Sequence, residues 1–238
     1  MGLTTFIVIS FYIFLYNVFM FYFEEINGYK VLKSDLGVNF GLNHCFTTRG
    51  VVVKNIYPNY IYPQQTHSDH VEIVDVRTEY PDTDGLIITQ KNIPIALKFA
   101  DCTPLIFYDI KRKIGAISHA GWRGTAQKIG VKTISKMGTN FGTKPNDIIA
   151  IIGPAIGCCC YEVSDEVRDK LLETVKDIAN LVQGKNVDLK QINARQLQEM
   201  GVNQIDICPY CTSCNNDLFY SYRKENGTNE RHYAILML

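Results

Sequence analysis

A chain of 238 residues, 46% apolar and 20% charged, has enough apolar material to bury the core of one large domain and is neither disordered nor fibrous in composition. Its 24 basic side chains balance 24 acidic ones, which leaves no electrostatic footprint for nucleic acid or an anionic membrane surface. Eight cysteines in a chain too long to need a disulfide framework read as reduced thiols of a cytoplasmic protein, available to a metal or to catalysis.

The first stretch differs from the rest. Residues 2–23 carry no charge and are dominated by Phe, Tyr, Ile, Leu and Val. A bilayer-spanning helix needs about 20 such residues. A cleavable secretory signal would have a positive leader and a small-residue cleavage site, and both are lacking. Two readings remain: an anchor whose body lies on the cytoplasmic side, since Lys30 and Lys33 follow, or a protein whose true start is near Met20. Residues 1–23 are therefore set apart from a domain spanning 24–238.

Beyond Glu24 the pattern changes to short strands broken by turn residues. Short candidates lie at 29–32, 45–48 and 51–56, the last rich in β-branched residues. An irregular loop containing Pro58, Asn59 and Pro63 runs to Gln65-Thr66-His67-Ser68-Asp69-His70. Alternation predicts a half-buried strand over 71–76. The turn Asp82-Thr83-Asp84-Gly85 leads into strands at 86–89, 93–100, 104–108 and 114–118. Helical periodicity marks 125–137, 165–183 and 189–200, with Ser164 as N-cap and Gly184 as terminator of the second, and Gly201 closing the third. A buried apolar run at 148–152 separates the first two helices, and strands at 204–208, 218–222 and 232–238 finish the chain. Setting the short candidates aside, about nine strands and three helices without βαβ alternation predict an α+β fold, one domain with a mixed β-sheet core and about three main helices. No phosphate-cradling G-x-x-x-x-G-K-[ST] or G-x-G-x-x-G motif is present.

Side chains with chemistry sit where these strands end. His67, Cys102 and His119 each lie at a strand tip or in a loop beside one. Three ligands of this kind leave the fourth tetrahedral position open, which marks a catalytic rather than a structural zinc; copper accepts the same donors. Their separations of 35 and 17 residues are no local metal motif, and His70 competes with His67. The alternative is a buried Cys102 packing as a small hydrophobe. Arg49, Arg123 and Arg223 are anion-binding candidates, Arg123 because it precedes a predicted helix whose N-terminal amides also attract anions. The run Cys158-Cys159-Cys160 lies in a loop between a strand and a helix, where a thiol is activated or simply packed. Cys208-x-x-Cys211-x-x-Cys214 supplies three thiols, with His232 or the 158–160 run as the source of a fourth ligand.

Read together, Thr48-Arg49-Gly50, Gln65-Thr66-His67, Asp82-Thr83-Asp84-Gly85-Leu86-Ile87, Ala100-Asp101-Cys102-Thr103-Pro104 and Ser118-His119-Ala120-Gly121-Trp122-Arg123-Gly124 form one ordered set. It continues through Ile152-Gly153-Pro154-Ala155-Ile156, Cys160-Tyr161-Glu162-Val163, Cys211-Thr212 and Phe219-Tyr220-Ser221-Tyr222-Arg223. The set resembles the YfiH-like laccase-domain family, first labelled multicopper polyphenol oxidases and now regarded as purine nucleoside phosphorylases. The resemblance runs from about Asn43 to the C-terminus. It implies a CNF/YfiH-like fold and a metal held by His67, Cys102 and His119, Zn2+ with Cu2+ as the alternative. It further implies phosphorolysis of adenosine, inosine, guanosine and 5′-methylthioadenosine, with adenosine deamination as a side activity. Cys102, Asp101 and Arg123 are then the expected catalytic residues, Asp101 as orienting partner of a ligand or in proton transfer. Arg49, Gln65, Arg123, Cys160 and Arg223 are expected to bind purine nucleoside and phosphate. The rival readings are a copper-dependent polyphenol oxidase and a membrane-tethered zinc module of cell-wall quality control. One departure stands out: only fourteen residues separate Gly50 from Gln65, fewer than in the family, which questions the role of Arg49.

Overall fold

The computed structural model describes residues 20–77 and 79–238. The expectation of an anchor falls on residues 1–19, outside the described residues, except for its end. There, Phe21–Phe23 belong to a strand, Phe21–Ile26, that pairs with Tyr29–Ser34. Among the described residues no helix is long and apolar enough to cross a membrane.

Two sheets stack face to face. The first is antiparallel and five-stranded. It is built from β1 (Phe21–Ile26), β2 (Tyr29–Ser34), β3 (Asn43–Thr47), β6 (Ile95–Phe99) and β13 (His232–Met237), in the order β1-β2-β3-β13-β6. The second is mixed and six-stranded. Its members are β4 (Val71–Ile73), β5 (Gly85–Ile88), β7 (Thr103–Asp109), β8 (Ile114–Ala120), β9 (Ile148–Ile152) and β12 (Gln204–Ile207), ordered β12-β9-β7-β8-β5-β4. Its outermost pairs are parallel, and its interior is antiparallel. A small hairpin, β10 (Val182–Gln183) and β11 (Asn186–Val187), stands apart.

The apolar runs of the second sheet follow from burial on both faces. Ile106 and Tyr108 of β7, with Ile149 and Ile151 of β9, point toward the first sheet and meet Phe46, Leu97 and Phe99. Their neighbours Leu105, Phe107, Ile148, Ala150 and Ile152 point the other way. There they pack on α4 (Ile129–Phe141) and α6 (Leu189–Met200) through Ile129, Ile134, Met137, Ala194 and Leu197. The expected α+β class with a mixed sheet core is thus observed.

Local departures have identifiable causes. Residues 51–56 hold a short helix, α2 (Val53–Ile56), with Val53 and Ile56 buried against Val31, Cys45 and Ile235. The helix expected over 125–137 begins earlier as α3 (Trp122–Ala126) and restarts as α4, because Lys128 takes a left-handed backbone between them. The helix expected over 165–183 ends as α5 (Asp165–Leu172), capped by Ser164 as expected. Beyond it Thr174 turns its hydroxyl to the Leu171 carbonyl, 2.6 Å away, and Val175 and Leu181 join the same buried cluster as Leu171 without helical geometry. Residues 218–222 are irregular, not a strand. A further short helix, α1 (Asp35–Asn39), is capped by Ser34.

Candidate metal centre

Strand register explains how distant residues meet. In the β7–β8 hairpin Thr103 pairs with Ala120 and Pro104 with His119, so the residue preceding β7, Cys102, arrives beside the end of β8. On the other side of β8, Gly85 pairs with Ser118 and brings Asp84 to His119. The loop carrying His67 leads into β4, which lies along β5. One donor atom each from His67, Cys102 and His119 then falls within 4.8 Å of the others. The two imidazole rings meet edge to face, with centroids 4.9 Å apart.

Asp84 organises this trio, a role that its place in a sequence turn did not reveal. Its Oδ1 lies 2.7 Å from Nδ1 of His119, which leaves Nε2 of that ring to face the cluster. Its Oδ2 accepts from the Thr66 amide (3.1 Å), the Ser68 amide (2.7 Å) and the Ser68 hydroxyl (2.9 Å). Those bonds bracket His67, whose backbone sits in the left-handed region at φ 62°. Such a backbone costs of order 1 kcal/mol or more in a non-glycine residue, so surrounding bonds must hold it. A carboxylate behind a ligating imidazole fixes its tautomer and raises its basicity. Sequence reasoning gave the orienting role to Asp101; for His119 it belongs to Asp84.

Asp101 works on the other ligand. Its φ of 81° is also left-handed. Its Oδ1 accepts from the Thr212 hydroxyl and its Oδ2 from the Arg223 amide, both at 2.7 Å, and its carbonyl accepts from the Ile156 amide. With both carboxylate oxygens engaged, it braces the loop that presents Cys102.

Electrostatics favour a thiolate. Burial pushes the Cys102 thiol up, but the charge of His119, with hydrogen bonds to His119 and His67, overrides it and holds the thiol down at about 6. Burial lowers His119, yet the facing thiolate and the Asp84 carboxylate raise it to about 9. Burial also works against the Asp84 charge, and the hydrogen bond to His119 leads the group that holds it down at about 2. Gly121 completes the cradle: a Cβ there would stand 2.9 Å from Cys102 Sγ and 3.4 Å from His67 Cδ2. One thiolate, two imidazoles, a fixed tautomer and a side chain omitted against the sulfur suit a transition-metal ion with one position left open.

The trio opens onto a cavity of about 1130 Å³. Tyr62, Trp122, Tyr161 and Tyr222 give it aromatic walls, and Lys98, Arg123, Arg223 and Arg231 give it positive charge, against Glu79 and Asp101. Arg123 lies with its guanidinium 4.4 Å from the Trp122 ring centroid, and no acidic group among the described residues pairs with it. Arg223 lies over Tyr161 and donates to the Glu162 carbonyl at 3.1 Å. Gln65 lines the cavity too, its amide exchanging two hydrogen bonds with the Lys98 backbone. Lys98, Arg231 and the aromatic walls were not singled out from the sequence.

Two expected binding residues lie elsewhere. Arg49 pairs with Glu225 at 2.6 Å, donates to the Asn216 carbonyl and stacks 4.2 Å from the Tyr220 ring, so it ties the C-terminal turns together outside the cavity. Cys160 lies 3.5 Å, sulfur to sulfur, from Cys214 and does not line the cavity.

The arrangement has relatives. A purine nucleoside phosphorylase YlmD of Bacillus subtilis is 35% identical over 195 residues, 75% of this chain and 70% of that one. A purine nucleoside phosphorylase YlmD of Geobacillus stearothermophilus is 38% identical over 170 residues, covering 68% of this chain and 62% of the relative. The crystal structure of YlmD from Geobacillus stearothermophilus superposes with a TM-score of 0.81 at 28% identity, over 90% of this chain and 98% of that one. That of the Bacillus licheniformis hypothetical protein YfiH gives 0.77 at 29% identity, over 87% and 96%. Residues 47–238, which hold the trio, Asp84 and the whole cationic cavity, match the multi-copper polyphenol oxidoreductase laccase family, and the chain belongs to it.

Proposed function

We propose that the protein is a zinc-dependent purine nucleoside phosphorylase, acting on adenosine, inosine, guanosine and 5′-methylthioadenosine with phosphate as the second substrate. The observation that carries this reading is a thiolate–imidazole trio opening onto a cavity that is aromatic-walled and cationic at once. A purine needs flat apolar surfaces and phosphate needs fixed positive charge.

In the reaction a phosphate oxygen bonds to ribose C1′ while the bond from C1′ to the purine nitrogen breaks, and its electron pair leaves with the base. Arg123 and Arg223 bind and orient the phosphate, which makes the attack effectively intramolecular. Arg123 is the better placed of the two, since its guanidinium makes no hydrogen bond among the described residues, whereas that of Arg223 is engaged by the Glu162 carbonyl. Trp122, Tyr161 and Tyr222 stack on the base and exclude water. His67, Cys102 and His119 would hold the zinc, Asp84 keeps the His119 tautomer fixed, and Asp101 positions both Cys102 and the Arg223 backbone. Bound there, zinc would supply Lewis-acid chemistry, toward the departing base in phosphorolysis and toward water in a side activity, the deamination of adenosine.

A copper-dependent phenol oxidase is the reading that the family's description invites. Four-electron reduction of oxygen calls for several coppers in imidazole-rich sites. The chain has five histidines; His44 and His232 are fully buried in the core, and His70 is bonded to Asp82 and Glu72. That leaves one His-Cys-His trio, which favours phosphorolysis.

The test is direct. Purified protein loaded with zinc should release ribose 1-phosphate from inosine only when phosphate is supplied, and Cys102→Ala should abolish this. Activity unaffected by that substitution would take the trio out of the mechanism.

A further inference from the structure

Cys159, Cys160, Cys211 and Cys214 lie away from the cavity and take no part in the chemistry above. Their four sulfurs fall within 4.8 Å of one another, and Cys214 stands 3.5 Å from both Cys159 and Cys160. A tetrahedral ion with metal–sulfur bonds of about 2.3 Å separates its sulfurs by about 3.8 Å. The cluster therefore has the dimensions of one ion's coordination shell. The amide of Gly157 donates to Cys211 Sγ at 3.1 Å, the kind of bond that steadies a thiolate. A Cβ on Gly157 would lie 3.2 Å from Cys211 Cβ and 3.3 Å from Cys159 Sγ, so the backbone closes on the sulfurs without a side chain in the way.

We propose that Cys159, Cys160, Cys211 and Cys214 hold a second, structural zinc ion. Four thiolates and no open position are the mark of a closed structural site. The composition differs from the sequence expectation. Cys208 is not a member: it is fully buried, and its thiol is pushed up to about 12 by burial. His232 is not one either, being buried against Phe99 and Phe219. The vicinal pair Cys159-Cys160 takes the places that those two would have filled.

A disulfide is the competing use of these thiols. It would join Cys214 to one of two equally near sulfurs and leave the other two to pair with each other, whereas an ion engages all four in one centre. The ion would also have a structural task. It would pin the turn that follows β9 to the segment that follows β12, which otherwise meet through the Thr212 amide on the Ala155 carbonyl and the Gly157 amide on Cys211. Tyr161 comes directly after Cys160, and Arg223 lies nine residues beyond Cys214, so the clamp sits behind one wall of the cavity.

Metal content of the full chain, expressed with zinc and purified under reducing conditions, tests this independently of catalysis. Wild type should carry about two zinc ions, and Cys214→Ser and Cys102→Ala should each carry about one. Cobalt placed in the Cys102→Ala protein should give the intense near-ultraviolet sulfur-to-metal absorption of a tetrathiolate site, absent when Cys214→Ser is added. Cys214 is exposed, so its replacement leaves the core intact. A wild-type protein with about one zinc that vanishes entirely in Cys102→Ala would overturn the proposal. So would a Cys214 disulfide found by mass spectrometry of the zinc-saturated protein, or iron in place of zinc.

Discussion

Replacing Asp84 by Asn isolates the carboxylate that serves two ligands at once. One oxygen of Asp84 faces Nδ1 of His119 and the other accepts three hydrogen bonds around His67. An amide has one oxygen and one NH2, so it cannot serve both sides. If its oxygen stays with Thr66 and Ser68, its NH2 faces His119 Nδ1 and drives the proton to Nε2, where it blocks metal binding. If the amide turns round, the NH2 opposes two backbone N–H groups and the loop carrying His67 loses its brace. Loss of such a supporting group weakens metal affinity by about 10- to 100-fold, or about 1.4 to 2.7 kcal/mol. Zinc affinity measured by competition with a chromophoric chelator reads this directly, and a thermal melt of the zinc-free proteins checks that the fold persists. Affinity of the variant within about twofold of wild type would refute the assignment of Asp84 as the organising group.

Other outcomes follow from the same geometry. Gly121→Ala, at φ −69° and so free of backbone strain, should cost about 1–3 kcal/mol through the clash with Cys102 Sγ and should lower zinc occupancy with little loss of secondary structure by circular dichroism. Arg123→Gln should raise the KM for phosphate about 10- to 100-fold, the worth of a charge-assisted hydrogen bond, with a much smaller change for the nucleoside. Arg49→Gln should leave that KM unchanged and instead lower the melting temperature. Acid should destabilise the protein through two core histidines: burial holds His44 down at about 4 and His232 at about 3, against 6.5 when exposed. His44 also accepts a hydrogen bond from the Ser34 amide, which a protonated ring could not do. The unfolded chain therefore takes up protons that the native one refuses, and stability falls as pH drops below 6.5. At pH 5 the loss should reach about 4 kcal/mol for the pair, read as a shift in urea midpoint; a midpoint flat between pH 7 and 5 would contradict it.

The parts of the molecule that could be read in advance are those whose physics is local. The strand at 148–152 announces itself because both its faces are buried, and α6 because its apolar stripe runs into Gly201 with a left-handed backbone. The stripe over 165–183 misleads for a related reason. Val175 and Leu181 are buried as a helix would require, yet they reach the cluster from a chain that has already turned. At the site, the residue types and their places at strand tips pointed to His67, Cys102 and His119, but only the register of β7 on β8 and of β5 on β8 brings them together. The pairing of Arg49 with Glu225 could not be read from the sequence because the two are 176 residues apart. Cys160 and Cys214, 54 residues apart, were separate motifs until the fold joined them.

The β7–β8 hairpin that delivers Cys102 and His119 also decides where the polypeptide tolerates editing. Its reversal, around Lys111 and Arg112, lies seven strand residues from Cys102, or about 23 Å along an extended chain. A graft or reporter peptide spliced into that distal bend lengthens the hairpin at its solvent end and leaves the chelating end in phase. Deleting a single residue from either arm does the opposite: every side chain beyond the deletion swaps faces, and the thiol is carried out of reach of its imidazole partners. Length can vary freely at one end of this element only because phase is fixed at the other.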